Sequence, residues 1–285
     1  MTHLTDYGYF FIGYNFTHLP EWAGIAGGYL FVVIFYQTFI LLAYHYFYRY
    51  ITFCNPAWLV RIETHRHSIA FYMALAIVGN ILLTSAYCFA VHIFAPTAAT
   101  RARFAPIMHD LYDIDLLSPP YPGYMAITYW HLVPDGSKVW HMTELISIVA
   151  VKIMFLSIAL MMMYCALRIA SDLHKAAKNI TDESQRTLKM QKEMFVALLI
   201  QTSVPVVFCY LPIGTIFAIP LTGISVGGLG NVFVMATAVF PAIEPFLILI
   251  YVSAYRDSIV HSSRSIFGTA KVAHASSISA VRASA

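Results

Sequence analysis

Five long apolar blocks dominate this chain, at about residues 23–47, 68–94, 143–167, 194–220 and 229–252. A helix rising about 1.5 Å per residue needs about 20 such residues to cross about 30 Å of hydrocarbon, and each block supplies them. The blocks predict an all-α integral membrane protein, a bundle of five transmembrane helices occupying residues 23–255. Strands are excluded as spans, because an open sheet edge leaves backbone groups unpaired in lipid and the runs lack the alternation of a membrane barrel. Composition agrees: 59% of the 285 residues are hydrophobic and 11% charged, where a soluble domain carries about a quarter charged. Lipid is the main solvent.

The basic residues then set an orientation, since Lys and Arg concentrate in cytosolic loops. Arg49, Arg61 and Arg66 lie between the first two blocks, and Arg168, Lys175, Lys178, Arg186, Lys189 and Lys192 lie between the third and fourth. Arg256, Arg264, Lys271 and Arg282 follow the fifth. By contrast, segment 95–142 offsets Arg101, Arg103 and Lys138 with Asp110, Asp113, Asp115 and Asp135, and segment 1–22 has Asp6 and Glu21 but no Lys or Arg. The pattern predicts a multi-pass plasma-membrane protein with an extracellular N-terminal segment 1–22 and a cytosolic tail 256–285. No signal peptide is apparent: the start lacks a positive region, and Tyr7–Phe16 is too polar and short for its apolar core. Asn15-Phe16-Thr17 is a candidate glycosylation sequon on the external side, whereas Asn179-Ile180-Thr181 is predicted cytosolic. Cys54, Cys88, Cys165 and Cys209 fall inside or beside the blocks and read as small apolar residues. A formal charge of +3 gives no argument for a nucleic-acid partner.

Ionisable groups inside a span suggest function by default. Lys152 is placed roughly 13 Å below the outer end of the third block, either snorkelling outward or contacting a ligand in a pocket open to the outside. Glu244 is placed roughly 9 Å deeper, too far for an ion pair, and level with Gln201, to which it could hydrogen-bond. Pro205, Pro212 and Pro220 punctuate the fourth block, and Pro241 and Pro245 bracket Glu244 in the fifth. Interior prolines each remove a backbone hydrogen bond and kink a helix. Nothing predicts catalysis, a metal centre or a cofactor. His65-Arg66-His67 lacks helical zinc spacing, Gly227, Gly228 and Gly230 precede no phosphate-binding Lys, and His131 and His141 are a weak metal pair. Too few intramembrane charges exist for an ion or proton relay, which disfavours a transporter or channel.

Three patterns add to this. Phe47-Tyr48-Arg49-Tyr50, followed by Cys54-Asn55-Pro56, resembles the signature ending the third helix of nematode serpentine chemoreceptors of the Str class and its relatives. Met190-Gln191-Lys192 leading into Leu199-Ile200-Gln201-Thr202-Ser203-Val204-Pro205 and Tyr210-Leu211-Pro212 is similar to their sixth helix. Phe240-Pro241-Ala242-Ile243-Glu244-Pro245 and Tyr255-Arg256 are similar to the seventh and the start of the tail, with Glu244 where the family commonly has Asp. The alignment makes the five blocks helices three to seven of a seven-helix, GPCR-like bundle and implies that the first two are missing.

The resemblance implies an olfactory-type receptor that binds a small molecule between its helices and couples to the Gα subunit of a heterotrimeric G protein. It places Tyr48, Arg49 and Tyr50, with Lys189 and Lys192, at the coupling face, and makes Gln201, Pro205, Pro212, Pro241, Glu244 and Pro245 switch or packing positions. Lys152 becomes the candidate ligand contact. The alternatives are a non-signalling receptor fragment and, more remotely, a small transporter.

Overall fold

The structure is a computed structural model that describes residues 1–13, 19–64, 66–178 and 185–251. The sequons at Asn15 and Asn179, His65, and the tail 256–285 lie outside the described residues.

Long helices carry the chain from one end of a bundle to the other. They are α1 (Glu21–Cys54), α3 (Arg66–Val91), α5 (Met142–Lys178), α6 (Gln185–Pro205) with its continuation α7 (Leu211–Ala218), and α8 (Gly230–Tyr251). Among the described residues, four helical segments are long and apolar enough to cross a membrane: Glu21–Cys54, Ser68–Phe94, Met142–Lys178 and Thr187–Thr222. The 22-residue α8 occupies the place of the fifth predicted span. The helices outrun the apolar blocks: α1 has 34 residues and α5 has 37, about 51 and 55 Å, so both carry their basic residues beyond the hydrocarbon on continuous helix. Short helices α2 (Pro56–Thr64) and α4 (Ala98–Tyr112) sit at opposite ends.

Local chemistry explains the breaks. Asn55 precedes Pro56, and a residue before proline is pushed out of the helical region, so α1 ends there with Asn55 at φ −135°. Pro56 then opens α2, where its missing N–H has no intrahelical bond to lose. Thr97 caps α4 reciprocally with Thr100, each side chain accepting from the other's backbone N–H at 3.1 and 2.9 Å. Between α6 and α7 the predicted kinks take a specific form: Val206–Tyr210 is a π-turn. The ring of Pro212 would clash with the carbonyl four residues back, on Phe208, and the wider π-turn relieves that clash without ending the helix. Pro220 lies in a closing 3₁₀ turn, Ile219–Thr222.

Lipid offers apolar side chains as good a solvent as another helix does, so packing shape and hydrogen bonds hold the bundle. Phe89 is 84% exposed and Leu82 65%, facing outward as lipid-facing residues would. Inside, Tyr36, Phe39, Tyr46, Tyr87, Ile158, Met162 and Cys209 form the core. Gln37 of α1 donates to Asn80 and Thr84 of α3 at 3.0 and 2.6 Å, and Asn80 donates back to Gln37 at 3.2 Å.

Residues 1–12 and 120–141 hold what the apolar blocks gave no sign of: paired strands. β1 (Thr2–Leu4), β2 (Gly8–Phe11) and β3 (Met125–Thr128) form an antiparallel sheet, and β4 (Trp130–Leu132) pairs with β5 (Lys138–Trp140). The strands lie off the spans, so the exclusion of strands inside lipid is untouched, but the segments at this end are built and not loose. They bury a second core of Phe10, Ile12, Phe104, Met108, Leu116 and Tyr124. The sheet lies over α1 so closely that a Cβ on Gly24 would stand 2.7 Å from the Gly123 carbonyl oxygen, which only glycine permits. Leu4 and Gly227 exchange backbone bonds at 3.1 and 2.8 Å, fastening β1 to the α7–α8 link. Segments 1–13, 95–141 and 222–229 therefore share one end, the sheet end. Arg61, Lys175, Lys189 and Lys192 stand at the other, the basic end.

Candidate ligand cavity and basic end

The alternation of β2 starts the site. Tyr9 and Phe11 pair with Ile127 and Met125 and face the bundle, while Phe10 pairs with Ala126 and turns into the second core. Beneath this sheet is a cavity of about 390 Å³. Tyr9, Phe11, Met125 and Ile127 form its roof. Its sides come from Phe31 and Phe35 on α1, Tyr87 and Val91 on α3, Lys152 and Phe155 on α5, Phe217 on α7, and Val234 and Thr237 on α8. That volume lies toward the small end of ligand sites, which span about 300–1,000 Å³.

Phe155 organises the floor. Its ring meets Phe35, Tyr36, Phe39, Tyr87 and Tyr210 at centroid distances of 6.2, 5.4, 5.3, 6.1 and 5.7 Å, mostly edge to face. Tyr36 stacks on Tyr87 at 4.3 Å. Tyr210 and Cys209 belong to the π-turn of the α6–α7 helix, so the cavity wall includes a stretch of that helix with irregular hydrogen bonding. The buried hydroxyls of Tyr36 and Tyr210 have no hydrogen-bond partner among the described residues.

Lys152 lines the cavity and is exposed, a place compatible with both expectations for it, snorkelling outward and contacting a ligand. No ion pair or hydrogen bond joins it to another described residue. The side chains of Pro241, Glu244 and Pro245 lie outside the described set, and with them the expected Gln201–Glu244 bond; the helical backbone of α8 runs through all three positions. Gln201 itself is half-buried and Pro205, the last residue of α6, is buried.

At the basic end, Arg49 shares a small crevice with Phe53 of α1, Ile169 and Leu173 of α5, and Gln191, Phe195 and Leu198 of α6. Tyr48 is exposed, Tyr50 meets Tyr164 of α5 at 6.0 Å, and Lys189 and Lys192 are exposed on α6. The residue that ties this corner together escaped the sequence reading. One turn before Arg49, buried Tyr46 donates to the Leu198 carbonyl at 3.3 Å and lies 2.7 Å from the Thr202 hydroxyl. A tyrosine in a run of aromatic residues gives no sequence signal for such a bond.

The sheet end has its own polar network. His131 and His141, distant in sequence, come within 3.0 Å, Arg103 reaches His141 at 3.2 Å, and Glu144 stands 3.7 Å from its other nitrogen. The guanidinium occupies the side from which a cation would approach. Burial, with help from Arg103 and His131 and against Glu144, holds His141 below its ordinary pKa. No group of three or more His, Cys, Asp or Glu suited to a metal occurs among the described residues. Glu21 and Arg101 form an ion pair that joins α1 to α4, and Arg101 also lies 4.2 Å above the Tyr121 ring. All four cysteines are free thiols.

The family described as serpentine type 7TM GPCR chemoreceptor Str matches residues 1–260. The chain belongs to that family. Among the relatives of this chain is the serpentine receptor class r-10 of Caenorhabditis briggsae, 22% identical over 227 residues, which is 79% of this chain and 63% of the relative. The Caenorhabditis elegans protein of the same name is 21% identical over 225 residues, with the same coverage. The chain thus spans about 63% of the length of the curated relatives it matches. No solved structure matches. The chain is a multi-pass helical membrane protein of a receptor family, as its motifs implied.

Proposed function

We propose that this protein is a plasma-membrane chemosensory receptor that binds a small molecule in the cavity beneath the sheet and signals to a Gα subunit at the basic end. One observation carries the reading: an apolar cavity roofed by the sheet has Tyr210, a residue of the α6 π-turn, in its wall. Helix irregularities of this kind accept a change of register more readily than a regular α-turn does. A ligand that packs against Tyr210 and Phe217 in one arrangement better than in another shifts the balance between them by that difference in affinity.

Residues after the π-turn would follow the ligand, and residues before it would move against α1. Tyr46 and Thr202 connect the moving half of α6 to α1, one turn above Arg49. Arg49 has no acid paired with it among the described residues, which leaves its guanidinium available to a Gα subunit in an opened crevice. Lys189 and Lys192 would form the rim. The excess of Lys and Arg supports a cytosolic basic end, with the sheet end and N-terminus outside. The correspondence of the five long helices to helices three to seven of a seven-helix receptor rests on the Tyr48–Tyr50, Gln201–Pro212 and Pro241–Pro245 motifs.

The test is to express the full chain in cells carrying a Gα activation sensor and to apply a panel of small organic compounds. A compound that activates wild type should fail on Arg49→Ala while surface level and ligand binding hold. An unaltered response would remove Arg49 from coupling. Binding without activation in wild type would leave a ligand-binding chain and overturn the signalling half of the proposal.

A further inference from the structure

The cavity wall has one charged side chain among its described residues, and it is a cation. Lys152 stands ten residues into α5, about 15 Å from the start of that helix, and its side chain, though exposed, lines the cavity beside the aromatic walls contributed by Phe31, Phe35, Phe155 and Phe217. No acid among the described side chains is paired with it. The acid of α8, Glu244, is seven residues beyond the wall residue Thr237, about 10 Å further along the helix. An ammonium in an apolar site is costly without an anion beside it. Two further polar groups also lack a partner among the described residues, the buried hydroxyls of the wall residue Tyr210 and of Tyr36.

We infer that the ligand of this cavity is a small organic acid whose single carboxylate pairs with Lys152 and whose apolar body lies along the aromatic walls. The inference rests on the receptor reading of the cavity and narrows it. A single cation neutralises one negative charge, and an otherwise apolar wall offers nothing to a second, so a monoanion fits and a phosphate dianion does not. The 390 Å³ of space sets the size, that of a body of a few carbons to one aromatic ring. Uptake of the anion would also remove the incentive for Lys152 to reach outward, so the occupied cavity holds the ammonium in place.

The test uses the full chain in nanodiscs of zwitterionic lipid at neutral pH. The probes are two matched series, octanoate with octanamide and octanol, and 3-phenylpropanoate with its amide and methyl ester, with binding read as a shift in thermal midpoint and in intrinsic fluorescence. Wild type should bind the better carboxylate about tenfold or more tightly than its amide. Lys152→Met should bring the carboxylate down to the level of the amide and leave the amide unchanged, and Lys152→Arg should keep the preference. Equal binding of acid and neutral partner in wild type, or a preference that survives Lys152→Met, overturns the inference and leaves the receptor reading intact. If neither series binds to wild type, the acid inference falls, and an activating compound with no acidic group found in the Gα assay would show that the receptor reading survives it.

Discussion

The hydroxyl of Tyr129, between β3 and β4, donates to the Phe217 carbonyl near the end of α7 at 2.9 Å. The residue thus joins the sheet to the helix that carries Phe217 into the cavity. Tyr129 is buried, its backbone N–H bonds the Tyr7 carbonyl at 2.8 Å, and its own carbonyl accepts from His141 at 2.9 Å. Burial pushes its phenol above the usual tyrosine range, which keeps the donor protonated. Tyr129→Phe should therefore lose one buried bond, about 1 kcal/mol, without changing the ring. A thermal midpoint within error of wild type in nanodiscs would show that the bond contributes nothing.

Phe155→Ala should be the most damaging single truncation in the bundle. It removes a ring that five aromatic neighbours surround and joins the cavity to the core beneath it. Phenylalanine truncations in packed cores cost about 3–5 kcal/mol. The expected result is a large loss of folded protein on heating in detergent, with Phe155→Leu intermediate. Equal stability of the alanine and leucine variants would mean that the site collapses around either.

The Tyr46–Thr202 contact lends itself to a double-mutant cycle. Tyr46→Phe and Thr202→Val each remove one of two hydroxyls 2.7 Å apart. Polar contacts between membrane helices average about 0.6 kcal/mol, so the coupling energy should be of that order. If the proposed motion of α6 is correct, the double variant should also shift ligand-free Gα activity, whereas coupling energy without any change in basal activity would confine the pair to packing.

The sheet end should lose stability in acid. His3 is 4% exposed, its Nδ1 lies 2.9 Å from the Tyr112 hydroxyl, and burial lowers its pKa, as it does for His141. A histidine held neutral in the folded state destabilises that state once the unfolded chain begins to take up the proton. Stability is therefore full above the ordinary histidine pKa of about 6.5 and falls as pH drops below it toward the lowered folded values. A thermal midpoint measured from neutral to mildly acid pH should be flat and then decline, and His3→Gln should reduce the decline. A midpoint that rises with acid would reverse the sign.

The helices were legible because lipid imposes a length and a composition on anything that crosses it, and those are visible in one dimension. Rise per residue also converts position into depth, and put Lys152 in the outer half of its span, at the level of the cavity. The cavity's roof was not legible. Tyr9 and Phe11 sit in a short segment whose four-residue strand is too brief for periodicity to separate from a loop, and its partner Met125–Thr128 lies more than a hundred residues away. The π-turn was foreshadowed only as flexibility around Pro205 and Pro212, because proline marks where a helix is strained and not how the strain is accommodated. His131 and His141 read only as a weak metal pair at their separation in sequence, whereas β4 and β5 pair His131 with Val139 and bring the two rings together.

The roof of the cavity depends on whether a residue of β2 falls on an odd or an even number. Tyr9 and Phe11 shape the ligand's ceiling, Phe10 and Ile12 fill the second core, and adjacent positions point to opposite faces. One residue gained or lost in the turn Thr5–Tyr7 would exchange the two sets, presenting Phe10 to the ligand and turning Tyr9 and Phe11 away. The chain could then retain every long helix and still hold a binding site of a different outline, so for this protein the outline of the site and the stability of the bundle can change independently.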